Sequence, residues 1–171
     1  MLTIGVSIPI PEPYGELLRD KRGEFGDPMA KTVPSHVTLI PPIEVEDDEL
    51  EAVCAALERA SATLPPFRMR LRGTGTFRPV SPVVFVAVSE GISYTEMLSK
   101  CVRKAVDCPG LKFPFHPHVT VAHNLDDSAL DRAYDELADF ECEFLVSEFA
   151  LYRHEGDAGW VPQRAFRLGS E

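Results

Sequence analysis

The tripeptide His-Val-Thr occurs twice in this chain, as His36–Thr38 inside HVTLIPP and as His118–Thr120 inside HVTVAHN. Both copies lie in apolar, β-branched runs that read as strands. Side chains alternate along a strand, so each histidine shares a face with its threonine while Val37 and Leu39, or Val119 and Val121, point the other way. An imidazole titrates near neutral pH. Two of them across a groove can divide a displacement: the neutral ring takes a proton from the nucleophile and the charged ring gives one to the leaving oxygen. The threonine hydroxyls can hold the non-bridging oxygens of a phosphodiester between the rings. No metal ion is needed for such a scheme. A single His-x-Thr is usually strand architecture; two at equivalent points of a repeat point to chemistry.

The elements around the motifs repeat in the same order. LTIGVSIPI reads as strand, EPYGELLRDKRGEFG as helix closed by glycine, and the first His-Val-Thr run as strand. DDELEAVCAALERASATL follows as an amphipathic helix opened by acidic residues, then FRMRLRGTGTF as an alternating strand. The second half runs VVFVAVSEG as strand, ISYTEMLSKCVRKAV as helix, the second motif strand, DDSALDRAYDELADF as helix and CEFLVSEFALYRH as one closing strand, with WVPQRAFRLG as an added terminal strand. The motifs begin 82 residues apart, at 36 and 118, near half the chain length of 171. The expected fold is α+β and bilobal: two β-α-β-α-β lobes with pseudo-two-fold symmetry around a central groove. They form one domain over residues 1–171, with lobe 1 at about 1–80 and lobe 2 at about 81–171. Helices covering one face of each sheet would leave the two His-Thr pairs on the uncovered faces, opposed across the groove.

Composition narrows the partners. An apolar fraction of 44% suits a globular protein, and a formal charge of −10 argues against one that coats long nucleic acid. A small phosphorylated ligand or one RNA end needs only a local positive patch. The opening MLTIGVSIPIP has no basic leader and is broken by Pro9, so it reads as a first strand and not as a secretory or membrane segment. A cytoplasmic monomer with no membrane contact is expected. Cys54, Cys101, Cys108 and Cys142 include no C-x-x-C pair and read as reduced structural thiols.

The paired motifs HVTL at 36–39 and HVTV at 118–121 resemble those of the 2H phosphoesterase superfamily, the LigT-like cyclic phosphodiesterases and 2′-5′ RNA ligases. GTGTF at 73–77 and FHPHVT at 115–120 support the likeness, which spans nearly the whole chain. The resemblance implies a bilobal α+β fold, catalysis without metal or cofactor, and substrates bearing a 2′,3′-cyclic phosphate or a 2′-5′ linkage. It carries the acid/base roles to His36 and His118 and the phosphate-ligand roles to Thr38 and Thr120. The expected activity is hydrolysis of 2′,3′-cyclic phosphates on nucleotides or RNA ends. The alternatives are a 2′-5′ RNA ligase and a non-catalytic nucleotide- or RNA-end-binding module. Many bacterial members that join RNA ends carry arginine five residues after the second motif histidine. Here that position is His123, a titratable ring with fewer donors, which weighs against ligation.

Other residues offer weaker signals. Arg78 and His123 are candidate substrate contacts. His116, His118 and His123 lack a supporting set of metal-ligand spacings, so no metal site is expected, and His116 reads as a groove-edge or exposed residue. Arg68, Arg70 and Arg72 make one basic face of a strand that is either solvated surface or an extension of the groove. Tyr152 and Trp160 could stack on a base or be partly buried.

Overall fold

In the computed structural model, which describes residues 1–108, 110–111 and 114–169, eight strands form two four-stranded antiparallel sheets with four α-helices. The strands are β1 (Leu2–Pro9), β2 (His36–Val45), β3 (Phe67–Thr76), β4 (Val83–Glu90), β5 (His118–His123), β6 (Glu141–Val146), β7 (Glu148–His154) and β8 (Trp160–Arg167). The helices are α1 (Tyr14–Glu24), α2 (Leu50–Ser61), α3 (Ile92–Ala105) and α4 (Asp127–Glu136). The first sheet has the order β2-β1-β7-β8 and the second β5-β4-β3-β6. The α+β, two-lobed architecture read from the sequence is therefore present.

The division of the chain between lobes differs from the expected split near residue 80. β3 belongs to the second sheet, between β4 and β6, and the last two strands return to the first. The run read as one closing strand is two, interrupted at Ser147, so that β6 pairs with β3 while β7 pairs with β1. The terminal strand β8 forms a hairpin with β7. The lobes are thus the two chain ends and the chain middle. This arrangement pairs both long sides of β1 and of β3, which would otherwise present open strand edges. The pseudo-two-fold relation survives in strand order, with β2-β1-β7-β8 matching β5-β4-β3-β6.

The helices cross over as well. α1 links two strands of the first sheet yet packs against β5, and α3 links two strands of the second yet packs against β2. Ser99 on α3 donates its hydroxyl to the Leu39 carbonyl at 2.8 Å. α2 lies against β8 and α3, and α4 against β3, β4 and β5. Each sheet is covered on one face by a helix from its own lobe and one from the other. Val37, Leu39, Val119 and Val121 are all buried beneath them, as strand alternation requires.

Both motif strands are sheet edges, and they adjoin each other. The edge position explains how β2 tolerates Pro41 and Pro42, whose missing N–H groups would break the ladder of an inner strand. The register moves from Val6 opposite Ile40 to Ile4 opposite Ile43, so the pair occupies an irregularity in the ladder. Among the described residues no helix is long and apolar enough to cross a membrane.

Candidate active site

Each motif histidine is held by the chain immediately before it. His36 Nδ1 lies 2.7 Å from the Pro34 carbonyl, and His118 Nδ1 lies 2.6 Å from the His116 carbonyl. A carbonyl oxygen can only accept, so Nδ1 carries the proton in both rings. The nitrogen left to gain and lose a proton is Nε2. The same i−2 contact in both lobes is the local signature of the pseudo-dyad, and a proline lies next to each of these contacts. Pro34 supplies one carbonyl itself, and Pro117 biases His116 toward the extended backbone that turns the other. Ser35 is anchored in turn by donating its hydroxyl to the Gly15 carbonyl at 2.7 Å.

Both rings are partly withdrawn from water, and loss of hydration lowers the pKa of each. The backbone carbonyls oppose that shift by stabilising the imidazolium. The positive charge of Arg22 lowers His36 further, and the charges of His116 and His36 lower His118. The fold brings the two motifs together: β2 adjoins β5, and Thr38 lies between the surroundings of His36 and those of His118. Thr38 lines a cavity with His36 and a second, adjoining groove with His116 and His118. Neither the Thr38 nor the Thr120 hydroxyl has a protein partner among the described residues, and both residues are half-buried.

The two walls are not alike. In the second lobe Phe77 and Phe85 pack together with ring centroids 4.6 Å apart, and the His118 ring stands edge-on to Phe77 at 5.0 Å. His116 is exposed at the groove and touches the same aromatic pair. A Cβ added at Gly75 would lie 2.5 Å from the Phe85 ring, so the glycine of GTGTF is what admits that ring. The sequence reading missed Phe77 and Phe85. Phe85 lies directly opposite Thr120 in the ladder, a pairing that no local pattern in the sequence announces. In the first lobe the cavity beside His36 and Thr38 is lined by Gly5, Ser7, Tyr152 and Trp160, so both aromatic residues singled out in the sequence flank the motif.

Arg78 and His123 lie elsewhere. Arg78 pairs with Asp131 at 2.9 Å and Asp127 at 3.5 Å and lines a separate surface cavity. His123 is exposed at the end of β5, outside the lining of both histidine cavities, and its backbone N–H donates to Asp27 at 3.0 Å. Two of the three arginines on the basic face of β3 are paired across the sheet, Arg68 with Glu143 at 2.7 Å and Arg70 with Glu90 and Glu141, and Arg72 is exposed. Beneath the motifs, Asp27 is 2% exposed and Arg22 is 7% exposed, joined Oδ2 to Nε at 2.8 Å. Asp27 also accepts from the Met29 N–H at 2.9 Å. This buried pair, which the sequence reading did not single out, ties α1 to the end of β5. No group of three or more potential metal-ligating side chains occurs among the described residues.

Two sheets related by a pseudo-dyad, with one His-x-Thr on each facing edge strand, define the class of fold and site. The chain belongs to the 2′-5′ RNA ligase superfamily, the 2H phosphoesterases, whose family model matches residues 10–158. A protein of Halalkalibacterium halodurans, provisionally named a phosphoesterase, is 27% identical over 99% of both chains. One from Bacillus thuringiensis, named in the same way, is 28% identical over 84% of each. Among solved structures, TT0787 of Thermus thermophilus superposes over the full length of both chains with a TM-score of 0.69 and 28% identity. Escherichia coli LigT, solved with 3′-AMP, superposes over 98% of both chains with a TM-score of 0.70 and 20% identity, a likeness of fold.

Proposed function

We propose that this protein is a metal-independent phosphodiesterase that opens 2′,3′-cyclic phosphates on nucleotides or RNA ends. The observation that carries the reading is the matched pair of Nδ1-to-carbonyl contacts, which leaves Nε2 of both His36 and His118 available for proton transfer. One Nε2 takes a proton from water as its oxygen bonds to phosphorus. The other Nε2 gives a proton to the ribose oxygen as its bond to phosphorus breaks. Thr38 and Thr120, whose hydroxyls have no protein partner among the described residues, hold the non-bridging oxygens and keep phosphorus between the rings. Membership of the superfamily and the phosphoesterase names of the relatives support a phosphate ester as the reacting group. The nucleotide bound in the structural neighbour LigT supports a nucleotide as its carrier.

Turnover of nucleoside 2′,3′-cyclic phosphates by wild type, with loss in His36→Ala and in His118→Ala, tests the assignment. Full activity in either variant refutes it. The superfamily's name also directs attention to ligation. RNA ends bearing a 2′,3′-cyclic phosphate and a 5′-hydroxyl should be hydrolysed and not joined. A joined product would establish the ligase reading, and saturable binding without turnover would establish a non-catalytic module.

A further inference from the structure

Related positions of the two lobes do different things. Ser7 lies opposite Thr38 in the first sheet, and Phe85 lies opposite Thr120 in the second. Where the second lobe is filled by Phe85 and Phe77, the first is open. Gly5 pairs with Tyr152 and leaves bare backbone on the cavity side. The Trp160 indole comes down over it, with Cζ3 3.5 Å from where a Gly5 Cβ would stand. The Trp160 backbone is anchored by its N–H, which donates to the Thr32 carbonyl at 3.0 Å, and the indole ring makes an edge contact with His154 at 5.2 Å. Ser7 and Tyr152 are each only 7% exposed, yet neither hydroxyl has a protein partner among the described residues. Both residues line the cavity and neither hydroxyl is sealed off from it, so a ligand in that space can bond to both.

We infer that the cavity beside His36 is a nucleobase subsite, in which a planar base stacks on Trp160 and hydrogen-bonds to the hydroxyls of Ser7 and Tyr152. An indole is a rigid aromatic platform, and stacking tolerates purines and pyrimidines alike because every base has a π face. A hydroxyl both donates and accepts, so the polar contacts do not select one base either. The space opens to the groove beside His36 and Thr38, so a base seated there lies next to the motif. The site therefore recognises that a base is present more than which base it is. This inference deepens the phosphodiesterase reading and rests on it for the position of the phosphate, but not for the presence of the subsite.

Trp160 is the single tryptophan of the chain, so its fluorescence reports on the subsite without any turnover. Adenosine 3′-monophosphate should quench the emission saturably, whereas inorganic phosphate should not. In parallel, kcat/KM is measured for adenosine 2′,3′-cyclic phosphate and for base-free methyl riboside 2,3-cyclic phosphate, with wild type, Trp160→Phe and Trp160→Leu. The ratio of the two constants should fall about 5- to 100-fold in Trp160→Leu, the range seen when one stacked base loses its platform, and be largely restored in Trp160→Phe. An unchanged ratio, with both substrates affected equally or not at all, overturns the subsite. Absence of saturable quenching by the nucleotide also overturns it. If wild type turns over neither substrate the phosphodiesterase reading fails, while the fluorescence titration still decides the subsite.

Discussion

Replacing Asp27 by alanine should be among the most damaging single changes in the protein, although Asp27 lies outside both cavities. Its carboxylate accepts from Arg22 Nε at 2.8 Å, from the His123 N–H at 3.0 Å and from the Met29 N–H at 2.9 Å. Alanine leaves the Arg22 charge buried and unpaired, which costs about 3–5 kcal/mol. It also removes the side-chain cap of the short 3-10 turn Pro28–Lys31, a loss of roughly 1 kcal/mol. The terms share one carboxylate and do not simply add, so about 4 kcal/mol is a fair total. In a chain of this size each kcal/mol moves the midpoint by about 2–4 °C, which gives a fall of roughly 8–16 °C. Thermal unfolding by circular dichroism and calorimetry measures it. The argument also requires that Arg22→Met in the Asp27→Ala background recover much of the loss, because the penalty comes from the stranded cation. A fall under about 3 °C, or a double variant no more stable than Asp27→Ala, would show that the pair does not hold α1 to β5 as argued.

Three further outcomes are expected. His36→Ala and His118→Ala should each reduce kcat/KM by ~10²- to 10⁴-fold, with the double variant far from additive because both proton transfers serve one displacement; additive losses would refute that coupling. The profile of kcat/KM against pH should be a bell centred below about 6.5, the ordinary histidine value, because burial and neighbouring positive charge lower both rings, and a maximum above pH 7 would contradict that environment. Folding stability carries the matching sign: a ring whose pKa is depressed by folding costs nothing above about 6.5, and stability is lost as pH falls toward the lower folded values, which urea titrations across that range detect. Turnover should survive exhaustive chelation, and loss of activity restored by zinc or manganese would refute the two-histidine scheme.

Much of the site was legible because it is written in local patterns. Strand alternation placed His36 with Thr38, and His118 with Thr120, on the faces opposite Val37, Leu39, Val119 and Val121, and the repeat implied that the two pairs would meet. The lobe boundary was not legible. β6 and β7 are separated only by Ser147, and both flanking runs have strand composition, so nothing local says that the chain changes sheets there. Pairing partners are a tertiary property. The same holds for Asp27 and Arg22, which look like ordinary surface charges until α1 is seen to pack on the other lobe. Arg78, beside GTGTF, looked able to reach a phosphate; its partners Asp127 and Asp131 are distant in sequence and close only once α4 covers β3.

The pseudo-dyad has a consequence for the roles of the two rings. Hydrolysis run backwards must use the same two rings with their duties exchanged, because the acid of one direction is the base of the other. Rotation about the approximate axis makes that same exchange, carrying His36 onto His118. A groove with perfect two-fold symmetry would therefore present the same proton donors and acceptors to bond making as to bond breaking. The free energies of reactants and products set the direction; the asymmetry of the walls, an open, hydroxyl-lined cavity on one side and two phenylalanine rings on the other, sets which ring serves as acid and which as base. If a nucleoside is held beside Trp160 as inferred above, the expected roles in hydrolysis are acid for His36, toward which the ribose oxygen would depart, and base for His118.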